Sequence, residues 1–135
     1  MAYLWNSVFE TGHEIIDGQH RQLFGALNNI TSAFWAGTGA DEVQKTLSFL
    51  TDYTVMHFKT EEDLMIKYKY RGYSAHKKTH DDFKVTAGKL AKKLHDEGPN
   101  EDLIVNVTTK IGDWLISHIK VDDMEMAAYV ITKEK

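Results

Sequence analysis

Apolar side chains recur at three- and four-residue steps over four long segments of this chain. Leu23, Phe24, Leu27, Ile30, Ala33 and Phe34 carry the pattern between Ile16 and Ala36. Val43, Leu47, Leu50, Thr54, Phe58 and Met65 carry it between Ala40 and Lys69. Phe83, Ala87, Leu90 and Leu94 follow between Ser74 and His95. Ile104, Val107, Ile111, Trp114 and Leu115 follow from Glu101 past His118. On an α-helix these steps gather side chains into one stripe, so the pattern predicts four amphipathic helices, each about 20 residues and roughly 30 Å long. The breaks are short: Gly37-Thr38-Gly39, Tyr70-Arg71-Gly72 and Gly98-Pro99-Asn100. Ser74 and Asn100 stand where helix caps belong, and Asp41 and Glu42 suit the positive end of a helix dipole. No alternating run competes as a strand. The expectation is all-α: a single domain over 1–135, an up-down-up-down four-helix bundle. Residues Met1 to Gly12 lack the periodicity and read as an extended arm with Trp5 and Phe9 as anchors. Met124 to Ile131 reads as a separate short piece.

Bulk properties narrow the function classes. A chain of 135 residues with 42% hydrophobic and 27% charged residues has the composition of an ordinary globular domain with a real core. A net charge of -4 gives no electrostatic reason to expect nucleic acid or an anionic membrane as partner. No run approaches the length of a membrane span. The opening residues show no signal peptide, so the expected setting is the cytoplasm. With no cysteine, disulfides, thiolate metal sites and thiol catalysis are excluded. A metal would have to be held by nitrogen and oxygen.

Metal-binding side chains fall in four clusters: His20; His57 and Glu61; His76 and His80; His118 with Asp122 or Asp123. Steps of four put His57 with Glu61, and His76 with His80, on one helix face. Each predicted helix contributes at least one such residue. His20 lies near the start of the first helix, and His57 and Glu61 near the end of the second. His76 and His80 open the third, and His118 closes the fourth. In an up-down bundle all of these meet at one end, where buried imidazoles and carboxylates need a strong partner. Five imidazoles and two carboxylates exceed the needs of a structural zinc site and suit two ions, with the carboxylates bridging. Nitrogen-rich, thiolate-free coordination points to iron first, then manganese or zinc. Together with a solvent bridge, this donor set leaves one position open around two six-coordinate ions. Helical geometry by itself favours Asp122, four residues after His118, over Asp123 at five.

The segments Ile16-Asp17-Gly18-Gln19-His20 through Leu23-Phe24, His57-Phe58-Lys59-Thr60-Glu61, His76-Lys77-Lys78-Thr79-His80 and Trp114-Leu115-Ile116-Ser117-His118-Ile119 through Asp123 resemble the signature of the hemerythrin family, and of the bacterial hemerythrins in particular. The resemblance spans nearly the whole chain, including the Trp5 arm and Gly72-Tyr73. It implies a non-haem di-iron centre that binds dioxygen reversibly, for transport, storage or delivery. By position, His76, His80 and His118 would hold the saturated iron and His20 and His57 the iron with the open position, with Glu61 and Asp123 bridging. The family's five-residue step selects Asp123, provided the helix is interrupted there. Leu23, Phe58, Trp114, Leu115 and Ile119, neighbours of these ligands, would line an apolar oxygen pocket.

The resemblance implies dioxygen as ligand and an oxygen-consuming enzyme or signalling protein as partner. It implies a binding protein rather than an enzyme. The competing classes are an oxygen- or redox-sensing module acting through a partner, and a di-iron oxidase or peroxidase. Outside the set, His13 and His95 read as surface or hydrogen-bonded histidines, and Glu62 as solvated. Asp17 reads equally as a helper of His20 or as an acid of the first helical turn.

Overall fold

The computed structural model describes residues 3–135, so the first two residues of the arm lie outside it. Its helices are α1 (Glu14–Trp35), α2 (Ala40–Lys67), α3 (Tyr73–Glu97), α4 (Glu101–His118) and α5 (Met124–Glu134). No strand occurs among the described residues. The first four helices pack in a ring, α1 on α2, α2 on α3, α3 on α4 and α4 on α1, which is the expected four-helix bundle. No helix is long and apolar enough to cross a membrane.

Local chemistry explains the helix ends. The α1 start is capped by His13, whose Nδ1 accepts the Ile16 amide at 3.4 Å. Gly37 and Gly39, both in the left-handed region at φ 69° and 97°, turn the chain between α1 and α2 without a Cβ penalty. Asn100 caps α4 as expected, its side-chain oxygen accepting the Leu103 amide at 2.9 Å. Ser74 does not cap α3. That helix begins one residue earlier, with Gly72 at the cap position and no side-chain cap bond.

The arm is extended only in part. Ser7–Phe9 forms a single 3-10 turn, because the Asn6 side chain accepts the Val8 amide at 2.9 Å. Tyr3 exchanges two hydrogen bonds with the Asn28 side chain, each 2.8 Å, and its hydroxyl donates to the Thr108 carbonyl at 3.3 Å. Trp5 and Phe9 anchor the arm as expected, packing on Phe24 with ring centroids 5.4 and 5.1 Å away. Asp17 stands in the first turn of α1, one of its two expected roles. Its carboxylate accepts from the Thr11 amide and hydroxyl at 2.8 Å and the Gly12 amide at 3.2 Å, tying the arm to α1.

Two apolar clusters fill the bundle. The larger runs through Leu27, Leu47, Phe58, Leu90, Ile104 and Leu115. The smaller, at the opposite end, joins Ile16, Met65, Met126, Ala127 and Val130. Burying these side chains drives folding at about 25 cal/mol per Å². His20, His57, Glu61, His76, His80 and His118 lie on α1–α4 between residues of the two clusters, at the end where α5 docks.

Candidate metal centre

Each helix delivers its donors through its own repeat. His20 faces inward from α1 beside Leu23 and Ile16, and His57 and Glu61 sit one turn apart on α2, as do His76 and His80 on α3. His118 ends α4. Immediately afterwards the chain widens into one π-helical turn over Ile119–Asp123 before α5 resumes the α pitch. An α-helix would have pointed residue 122 inward. The extra residue of the π turn rotates Asp123 into the bundle instead, where it is fully buried, and leaves Asp122 at the rim.

All seven residues converge. Six of them are at most 4% exposed and His76 is 5% exposed. Their donor atoms form two groups within 4.8 Å: Glu61, His76, His80, His118 and Asp123; and His20, His57, Glu61 and Asp123. Glu61 and Asp123 belong to both, and each divides its two oxygens between them. Glu61 Oε1 lies 3.1 Å from His80 Nε2 and 3.4 Å from His76 Nε2, while its Oε2 lies 3.2 Å from His57 and 3.5 Å from His20. Asp123 Oδ1 lies 3.0 Å from His76 and 3.1 Å from His118, while its Oδ2 lies 2.9 Å from His20.

Burial pushes the imidazoles of His20, His76 and His118 toward neutrality, but the two carboxylates close beside them outweigh it. In the metal-free chain His20 and His76 rise from 6.5 to about 9 and His118 to about 10. Burial likewise opposes ionisation of Glu61 and Asp123, and the surrounding imidazoles overcome it, holding both carboxyls well below the usual range.

The donors fit a metal. His20 Nε2, His57 Nε2, His76 Nε2 and all four oxygens of Glu61 and Asp123 are buried without a hydrogen-bond partner. Unpaired polar atoms at this density are costly, and a cation answers them all at once. His80 Nε2 and His118 Nε2 face each other at 3.1 Å. That spacing is the edge of an octahedron whose ligands stand about 2.1 Å from a central ion, an edge of about 3 Å.

Outer hydrogen bonds hold the rings. His57 Nδ1–H donates to Gln19 Oε1 at 2.7 Å, His80 Nδ1–H to Glu62 Oε2 at 2.8 Å and His118 Nδ1–H to Asp122 Oδ2 at 2.9 Å. Glu62 is therefore not merely solvated, as its sequence position suggests. Phe58 stacks flat on His80 at 3.8 Å, and Trp114 on His118 at 4.5 Å. Leu23, Phe58, Leu115 and Ile119 are all buried, and Trp114 is half-buried. Beside His20 the ring is Trp5, 6.3 Å away, a neighbour that its position in the arm did not reveal. His13 is buried and bonds Glu134 at 2.8 Å, far in role from the cluster. The Glu-x-x-His step from Glu10 to His13, a pattern used by bundle di-iron enzymes, thus places its exposed glutamate and capping histidine outside the centre.

Residues 11–130 match the hemerythrin HHE cation binding domain. The chain belongs to the hemerythrin family. It is 38% identical over 120 residues to the bacteriohemerythrin of Methylococcus capsulatus, covering 86% of this chain and 87% of that protein. It is 31% identical over 123 residues to the myohemerythrin of Sipunculus nudus, covering 91% and 89%. A crystal structure of wild-type hemerythrin superposes with a TM-score of 0.85 at 31% identity, over 96% of this chain and 98% of the other. The hemerythrin family binds non-haem iron, and the buried His/Glu/Asp cluster of this member is a donor set suited to that metal.

Proposed function

We propose that this protein is a single hemerythrin-like domain that binds dioxygen reversibly at a carboxylate-bridged pair of iron ions. The observation that carries the reading is the division of the Glu61 and Asp123 oxygens between a three-histidine and a two-histidine group. His76, His80 and His118 would hold one ion, His20 and His57 the other, and Glu61 and Asp123 both. The two-histidine side offers one protein donor fewer, so an open position would fall there. Bound in this way, the iron pair would supply that open position and two electrons that dioxygen can share and return.

The chain's own residues supply the conditions for reversibility. Leu23, Phe58, Leu115 and Ile119 keep bulk water from a charged centre, which strengthens electrostatics inside and denies stray protons a path. Gln19, Glu62 and Asp122 hold ring protons on the outer nitrogens, so that the Nε2 lone pairs of His57, His80 and His118 all point inward. Phe58 and Trp114 fix ring planes by stacking. The role proposed is carriage, storage or delivery of dioxygen rather than turnover.

Oxygen uptake by the anaerobically iron-loaded protein tests this reading. Uptake of one dioxygen per two irons, reversed when the gas is withdrawn, is expected. Continuous consumption in the presence of a reductant would make the protein an oxidase.

A further inference from the structure

The outer hydrogen bonds of the ligand histidines are not alike on the two sides of the centre. All five rings turn Nε2 toward Glu61 or Asp123, so Nδ1 faces outward in each. On the three-histidine side, His80 and His118 each donate Nδ1–H to a carboxylate, Glu62 at 2.8 Å and Asp122 at 2.9 Å. On the two-histidine side, His57 donates to the neutral amide oxygen of Gln19 at 2.7 Å. That amide cannot turn over freely, because its nitrogen donates to Thr60 Oγ1 at 3.2 Å. His20 Nδ1 is buried with no partner at all.

A carboxylate acceptor draws the outer proton away from the ring, which raises electron density on the inner nitrogen and strengthens its bond to a cation. An amide does this weakly, and an absent partner not at all. The two carboxylates also place negative charge just beyond the three-histidine side. Glu62 has only 14% of its side chain exposed and Asp122 has 38%, so solvent screens Asp122 more.

We propose that these outer partners rank the two ion sites: Glu62 and Asp122 make the His76/His80/His118 side the tight site that fills first, and the neutral Gln19 leaves the His20/His57 side the weak site that fills second. Gln19, Glu62 and Asp122 are positioning residues in this scheme, acting on the ions through histidine. The scheme rests on the two-ion reading of the cluster.

The test is titration of the metal-free, full-length protein with Co2+ under anaerobic conditions, followed by calorimetry and by the visible absorption of the ion. Two successive steps of one ion per chain are expected. The first should vanish in His80→Ala and the second in His57→Ala. Glu62→Gln should weaken the first step about 10- to 100-fold, and Asp122→Asn by about tenfold or less. Gln19→Glu should strengthen the second step about tenfold, a gain that no folding defect can mimic. Two ions bound with indistinguishable affinities would overturn the ranking while leaving the two-ion centre standing, as would Glu62→Gln and Gln19→Glu variants whose steps are unchanged. Fewer than two ions per chain would overturn both.

Discussion

Stripping the metal should invert the pH dependence of stability. In the metal-free chain, His20 and His76 titrate at about 9 and His118 at about 10, against 6.5 when unpaired. These are raised values, so the stability they confer is fully present below pH 6.5 and is lost as pH climbs through 9 to 10. Glu61 and Asp123 are depressed, so their contribution is lost only as pH falls far into the acid range. A rise from 6.5 to about 9 is worth about 3 kcal/mol for one imidazole. The three rings share two carboxylates, so the total falls well short of three times that figure. A loss of about 3 kcal/mol is still a large part of the 5–15 kcal/mol that holds a typical domain together.

Metal loading reverses the slope. An ion displaces the inner protons, so its affinity, and with it the stability of the loaded protein, grows as pH rises through the same window. Urea unfolding followed by circular dichroism, with and without chelator, reads both slopes from about pH 6.5 to about 9.5. At about 1–3 kcal/mol per M of urea, the metal-free midpoint should fall by about 1 M or more. A metal-free midpoint that stays level or rises over that range would refute the argument that the carboxylates hold charged imidazoles.

Asp123→Ala should abolish two-iron assembly, whereas Asp122→Ala should retain two irons with weakened binding; iron analysis of the purified variants decides, and the reverse result would reassign the bridge. Phe58→Ala removes a fully buried ring stacked on His80 and should cost about 3–5 kcal/mol in chemical denaturation. Asn100→Ala removes the α4 cap and should cost about 1 kcal/mol with iron content unchanged. Gly112→Ala would drive a Cβ into the Tyr3 ring, so it should displace the arm and raise the exposure of Trp5, seen as a red shift in fluorescence.

The helices and the donor set were legible because both depend on local spacing. Periodicity located all four helices to within a few residues, and the clusters His57/Glu61 and His76/His80 could be read as facing pairs. What depended on a change of pitch was not legible. Nothing in Ile119-Lys120-Val121-Asp122-Asp123 announces a π turn, so α-helical spacing favoured the wrong aspartate as the inward one, and only the family's five-residue step favoured Asp123. Contacts between elements were hidden too. Glu62 meets His80 across the α2–α3 interface and Gln19 meets His57 across α1–α2, and neither pair has a spacing signal. One signal was available for Glu62: it lies beside Glu61 on α2, about 100° around the helix, and so borders the same interface. The one 3-10 turn within the arm had no periodic signal, because it needs only one side-chain acceptor, here Asn6. His13 is hydrogen-bonded, one of its two expected states, but its burial and cap role had no sequence signal, because the cap uses a ring nitrogen where a Ser, Thr, Asp or Asn is usual.

The most direct test is the visible spectrum of the ferrous protein, loaded with iron in the absence of oxygen, through repeated cycles of oxygenation and evacuation. An absorption band should appear with oxygen, disappear under vacuum and return at full amplitude, with two irons per chain. A band that forms once and persists after evacuation, or an iron content of one per chain, would contradict reversible binding at an iron pair.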